Sequence, residues 1–379
     1  MKHNAQLRAL RFRAQRLAEK VPQAQSLPDP TANLALGSLP ETAAGRVDAM
    51  AGLSQKIPFP GKRRAASGAA RAEALAMRAE ALAYQLKLAE QVHRAWWDLH
   101  LSQTSIEIMT ESRDLLQSVA ETVEARVAAS EASQSDQLRI ANEITAIDRD
   151  LAETRGLQKT ARARLNSLLN RPAGAPLPVA ARATPAPAGN LDALMARAAS
   201  SHPEITAASH QVAAFQHRLR RAQLEKFPDL TMGVQSAAVA SSGLAPSANG
   251  DDQIFGTLGF NLPLWQKPRR AMIREAKAGI SETKALLESK RADLRYRVEE
   301  AYFDAQTARD VSRLFETRLL PDARQAYQVT LDSYAAGEES FTSLIESWRE
   351  WLTYQLQDAR TRARLGKAIA TLKAAAGTS

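Results

Sequence analysis

Val92-His-Arg-Ala-Trp-Trp-Asp98 and Val298-Glu-Glu-Ala-Tyr-Phe-Asp304 are one pattern written twice: valine, two polar residues, alanine, two aromatics and aspartate. A repeat at so long a period governs every later reading, because missing it misassigns the whole fold. Toward the N-terminus, Gln55-Lys-Ile-Pro-Phe-Pro-Gly-Lys62 matches Leu262-Pro-Leu-Trp-Gln-Lys267 at its Ile-Pro-Phe core, Pro28-Asp29 matches Pro228-Asp229, and Asn4-Ala-Gln-Leu-Arg-Ala matches His202-Pro-Glu-Ile-Thr-Ala. Toward the C-terminus, Val127-Ala-Ala-Ser130 with Ser133 matches Tyr334-Ala-Ala-Gly337 with Ser340, and Arg162-Ala-Arg-Leu165 matches Arg362-Ala-Arg-Leu365. Between the last two landmarks the second copy is shorter by a heptad, the length change a coiled coil absorbs without rotating its seam. The chain therefore divides into a first repeat, 1–170, a Pro/Ala-rich linker, 171–190, and a second repeat, 191–379. The linker carries Pro172, Pro176, Pro178, Pro185 and Pro187, which cannot continue a helix.

Each repeat reads the same way. Residues 4–22 and 203–226 have helical spacing and stop at a proline. Thr31–Leu39 with Asp48–Ile57, and Asp229–Ala240 with Gln253–Leu264, alternate apolar with small or polar residues and read as paired strands around the turns Pro40–Gly45 and Ser241–Asp252. In the last of them Ile254, Leu258, Phe260 and Leu262 share one face, and Thr257, Gly259 and Asn261 the other. Lys62–Val127 and Arg269–Ala335 carry no expected break, so each predicts a helix roughly 100 Å long. Ser135–Leu169 and Phe341–Ala375 are the return helices. A strand of about ten residues with one apolar face suits a tilted barrel strand. The alternative is a hairpin lying on a soluble domain; if the strands do span a membrane, four cannot close a barrel and lipid does not tolerate open edges, so several copies must share one.

Composition agrees. Only 5% of the 379 residues are aromatic, and Ala, Leu, Arg, Glu and Gln fill most of the length, as long packed helices require. The net charge of +9 is spread along helices among acidic residues, not gathered in a stripe, so no nucleic-acid partner is expected. With no cysteine, disulfide frameworks and thiolate metal sites are excluded. No run of about 18 apolar residues predicts a transmembrane helix. Met1–Leu10 lacks the apolar stretch of a signal peptide, and Asn4 stands near the terminus whereas Leu191–Ala199 precedes His202. Both predict a truncated N-terminus, with a signal sequence and an opening helix encoded upstream in frame.

Catalysis is not expected: there is no nucleophile elbow, no phosphate loop, and no cofactor motif. His93 with His100, and His210 with His217, lie seven apart without a completing carboxylate, which suits surface or packing roles better than a metal site. Trp96-Trp97, Tyr302-Phe303 and Trp348 with Trp351 read as packing anchors.

In its duplicated order of landmarks the whole chain resembles the TolC family of outer-membrane factors, carried by Asn4 and His202, the 55–62 segment, the two Val-x-x-Ala-aromatic-aromatic-Asp stretches and the small-residue hairpin tips. Ala5 stands where that family usually has proline. The resemblance implies a mainly α fold with one β-hairpin per repeat. It further implies a homotrimer whose 12-stranded outer-membrane barrel, four strands per protomer, continues as a long periplasmic α-helical coiled-coil barrel. It implies a periplasmic adaptor, an inner-membrane pump often of the resistance-nodulation-division class, and contact with outer-membrane lipid. Pro58-Phe-Pro-Gly-Lys62 looks most like the heavy-metal cation branch. An outer-membrane factor of type I protein secretion and a cytoplasmic coiled-coil scaffold are the competing readings; unbroken heptads without hairpins would mark the scaffold. Within this frame, the tips Ala128, Ala129, Ser130, Ser133, Ala335, Ala336, Gly337 and Ser340 are adaptor-docking candidates, because small residues at a turn let a partner helix approach closely. Pro58, Pro60, Gly61, Pro263 and Pro268 mark strand–helix junctions. Glu346 and Glu350, one turn apart, are candidates for an acidic ring at the aperture, to be weighed against a plain solvated face.

Overall fold

The computed structural model describes residues 3–37, 41–177, 189–242, 247 and 249–378. Residues 38–40 of the first hairpin, 243–246 and 248 of the second turn and 178–188 of the linker lie outside them. In chain order the elements are α1 (Ala5–Ala18), α2 (Lys20–Gln25), β1 (Thr31–Leu36), β2 (Glu41–Thr42), β3 (Gly45–Ile57), α3 (Lys62–Ala128) and α4 (Gln134–Leu168). There follow α5 (Leu191–Ser201), α6 (Pro203–Leu224), β4 (Leu230–Ala240), β5 (Gln253–Phe260), α7 (Gln266–Leu314), a π-turn (Phe315–Leu319), α8 (Leu320–Ala335) and α9 (Phe341–Ala375). The chain is mostly helical with one small antiparallel sheet.

Two expectations need correction. The second long helix runs on but is not regular throughout: Pro321 has no N–H to give the preceding turn, and the chain widens ahead of it into a π-turn, where Leu320 N–H reaches Phe315 O. The last strand stops at Phe260 instead of running to Leu264. Leu262 and Leu264 continue the alternation, but Pro263 between them cannot donate to a ladder. The first turn also adds a two-residue strand, Glu41–Thr42, against Gly45 and Arg46.

Contacts group the chain into two compact units, each drawing on both sequence halves: 1–9, 81–205 and 290–379 form one, and 10–80 and 206–289 the other. The boundaries fall inside α1, α3, α6 and α7. In the second unit the strands run β1-β3-β4-β5, all antiparallel, with β2 beside β3. Leu53 opposes Val234, and Met232 opposes Leu258. Leu34, Leu53, Val234, Ile254, Leu258 and Phe260 remain more than half exposed along the apolar face. Below the sheet, Ala65, Ala69, Ala72, Ala76 and Ala79 are buried at spacings of four and three, a heptad seam of small residues that permits close helix approach. There Gly68 of α3 lies against the His217 ring of α6: a Cβ at Gly68 would sit 2.6 Å from Nδ1.

In the first unit the opening motif acquires a physical reason. Trp97 is buried flat against Gly366 of α9, where a Cβ would come within 1.9 Å of Cε2. The two motif aspartates pair with basic residues of the same helix, Asp98 with Lys367 and Asp304 with Arg364 at 2.8 Å. Phe303, by contrast, is 55% exposed, so within one chain it is no packing anchor. The landmarks Asn4 and His202 do equivalent work. Asn4 caps α1 by accepting from Leu7 N–H (3.0 Å) and donates Nδ2 to Leu168 O (3.0 Å), at the end of α4. His202 accepts from Glu204 N–H at Nδ1 (3.2 Å), while its Nε2 reaches Ala374 O (3.2 Å), near the end of α9. That pair of partners fits the neutral ring. Burial pushes the His202 pKa down, against the pull of Glu204. Among the described residues no helix is long and apolar enough to cross a membrane, which says nothing about strands.

Candidate functional site

The two helix turns expected at the tips have nearly the same backbone. After α3, Ser130 N–H reaches Val127 O (3.0 Å) and Glu131 N–H reaches Arg126 O (2.8 Å). After α8, Gly337 N–H reaches Tyr334 O (3.1 Å) and Glu338 N–H reaches Ser333 O (2.9 Å). Both are Schellman ends, which need a left-handed residue just past the helix. Gly337 supplies it at φ 80° without strain, and Ser130 adopts φ 63°. Ser133 and Ser340 then cap the return helices, accepting from Ser135 N–H and Ser343 N–H at 3.1 Å each. Asp136 completes a capping box on α4.

All eight tip residues singled out in the sequence are exposed. Directly beneath lies an apolar cluster including Leu116, Val119, Val123, Ile140, Tyr334, Phe341, Leu344 and Trp348. Trp348 Nε1 donates to the buried Ser112 hydroxyl (2.9 Å), and Tyr327 stacks on Trp351 with centroids 5.2 Å apart. Burial pushes the Tyr327 pKa up to about 12, so its ring stays neutral. Arg126, which the sequence reading did not single out, ties the tips together. Its guanidinium donates to Tyr334 O and lies 4.8 Å over the Tyr334 ring, and its Nε is 3.7 Å from Glu131. The result is an exposed rim of Ala, Ser and Gly on a stiff aromatic base. Glu346 and Glu350 are both exposed on α9, and Glu350 accepts from Tyr354 OH at 2.7 Å.

The strand–helix junctions are less alike. At the first, Pro58 and Pro60 flank Phe59, which stacks on Phe227 at 4.4 Å, and Gly61 turns the chain at φ 94° into α3. Lys62 is buried there. Its Nζ lies 2.8 Å from Asp229 Oδ1, 3.0 Å from Phe227 O and 3.3 Å from Glu225 Oε2. Asp229 also accepts from Phe59 N–H (2.9 Å) and faces Lys56 at 3.3 Å. Burial opposes ionisation of Asp229, but Lys62 and the Phe59 N–H outweigh it and hold the carboxyl below its ordinary range. At the second junction Pro263 lies between β5 and α7, and Pro268 is the third residue of α7, where no N–H is required. Leu264 and Trp265 are 71% and 79% exposed.

Among the described residues no three His, Asp or Glu side chains are placed to hold a metal ion. His217 packs on Gly68, and His100 stacks on Trp96 with centroids 5.2 Å apart.

Solved structures share this fold. The outer-membrane channel OprN is 20% identical, with a TM-score of 0.81 over 99% of this chain and 87% of its own. VceC from Vibrio cholerae is 18% identical, TM-score 0.81, over 99% and 92%. CusC is 19% identical, TM-score 0.81, over 99% and 90%. No curated protein sequence is significantly similar. The profile of the family described as outer membrane efflux protein matches residues 1–171 and 194–378, nearly the whole chain. The chain belongs to that family: it is an efflux channel protein of the outer membrane and not an enzyme.

Proposed function

We propose that three copies of the chain close one 12-stranded barrel in outer-membrane lipid and form the exit duct of a tripartite cation efflux system. The observation that carries this is the sheet. It ends at β1 and β5 with no further strand among the described residues, and its apolar face is exposed. Such edges are not tolerated in lipid, and three four-stranded sheets remove them all. The duplicated order of elements supports reading 1–170 and 191–379 as two copies of one unit joined by the 171–190 linker.

The tips, Ala128, Ala129, Ser130 and Ser133 with Ala335, Ala336, Gly337 and Ser340, dock the periplasmic adaptor. The adaptor links the channel to an inner-membrane pump of the resistance-nodulation-division class. Glu346 and Glu350, exposed just beyond the second tip, ring the aperture and raise the local cation concentration there. Likeness of Pro58–Lys62 to the heavy-metal branch favours transition-metal cations as cargo. A strain lacking its own outer-membrane channel, but retaining the metal pump and adaptor, should regain resistance to transition-metal cations on expressing this chain. Unchanged sensitivity, with the protein present in the outer membrane, would reject cation cargo.

A further inference from the structure

The first strand–helix junction is complete within one chain and the second is not, although the two share a sequence pattern. Aligning Ile57-Pro58 with Leu262-Pro263 places Lys267 where Lys62 stands and Leu264 where Phe59 stands. Aligning Pro228-Asp229 with Pro28-Asp29 places Asp29 where Asp229 stands and Leu27 where Phe227 stands. In the complete junction Lys62 and Asp229 are buried against each other and the two phenylalanines stack. In the incomplete one Lys267, Asp29, Leu27 and Leu264 are all exposed. The equivalent partners cannot meet in the same way inside one sheet, because β1 and β5 are its opposite edges.

We infer that a second copy of the chain completes this junction: Lys267 pairs with Asp29 of the neighbouring copy, Leu264 packs on its Leu27, and β5 pairs antiparallel with its β1. The inference rests on the shared-barrel reading and adds the register. Within the chain Leu53 opposes Val234 and Gln55 opposes Met232. Carried over by the same two alignments, Leu258 opposes Leu34 and Phe260 opposes Ala32 of the neighbour. This register keeps the apolar face continuous across the seam, since Leu34 and Leu258 are both exposed on that face, at 69% and 67%. A slip of one residue would set Leu34 against Thr257 or Gly259 and turn one edge's apolar set inward. The charges agree as well, one cation meeting one anion at a site where each lies open in the single chain.

Because the chain has no cysteine, paired cysteines report the seam without background. Directly opposed residues have Cβ atoms about 4.5–5.5 Å apart, close to disulfide geometry. Oxidised Leu34→Cys/Leu258→Cys should run as a covalent trimer on denaturing gels, while Ala35→Cys/Leu258→Cys, one residue out of register, should run as monomer. Asp29→Lys and Lys267→Asp should each lower the trimer fraction surviving mild detergent by at least about tenfold, and the double reversal should restore it. A trimer by light scattering in which Leu34→Cys/Leu258→Cys does not cross-link would overturn the register and leave the shared barrel standing. Single reversals without loss would overturn the ion pair. A parent chain that is monomeric in detergent would overturn this inference and the barrel together.

Discussion

Lys62→Met should destabilise the first strand–helix junction by about 1–3 kcal/mol, because Asp229 loses its buried partner and keeps only the half-exposed Lys56 and the Phe59 N–H. Lys62 is 6% exposed and Asp229 8% exposed, and the lysine also satisfies Phe227 O at the end of the segment that leads into β4. Methionine keeps the stem's volume and removes only the charge and donors, so the loss reports the ionic contact. Asp229→Asn in the same chain should recover at least half of it, because the amide oxygen can still accept from Phe59 N–H and no bare charge remains. Heat-induced trypsin sensitivity of the purified protein reads both. Lys62→Met as resistant as the parent would show that the network adds no stability.

Ala129→Trp with Ala336→Trp should abolish efflux while leaving outer-membrane trimer yield unchanged. Both residues directly follow the last residue of their helices and precede the left-handed Ser130 and Gly337, both are exposed, and neither is part of the apolar cluster below. Indole rings there do not disturb that packing, but they keep a partner helix from approaching the rim. Resistance conferred in the efflux-deficient strain is the readout. Full resistance with both tryptophans in place would show that the tips are not the docking surface. The Arg126 contact offers an internal comparison. Arg126→Ala removes the donor to Tyr334 O, and it should weaken the tips without adding bulk to the rim.

Much of the fold is legible because the helices are long and their punctuation is strong. The span Phe341–Ala375, expected from periodicity, coincides with α9. The tips were visible as small residues between two helical patterns, Ser133 and Ser340 among them, but not the capping that these two serines do. Less legible features depend on partners distant in sequence. Arg126 bonds to a residue 208 positions away, and Ser333 occupies its place in the second copy, so the repeat itself gives no hint of it. Lys62 and Asp229 each stood inside a landmark, but their meeting joins the first half to the second, and no local pattern encodes that. The π-turn was missed for a different reason. Apolar periodicity on both sides of Pro321 favours continuous helix, and the missing N–H is accommodated by one wide turn, not by an end. Strand β2 is two residues long, too short for alternation to register.

The central claim is that this chain is one third of an outer-membrane channel. Native mass spectrometry of protein extracted from outer membranes in detergent tests it most directly. The account predicts a single species of three 41.3 kDa chains that survives dilution in detergent. A monomer that remains in solution without detergent, absent from the outer-membrane fraction, would contradict it.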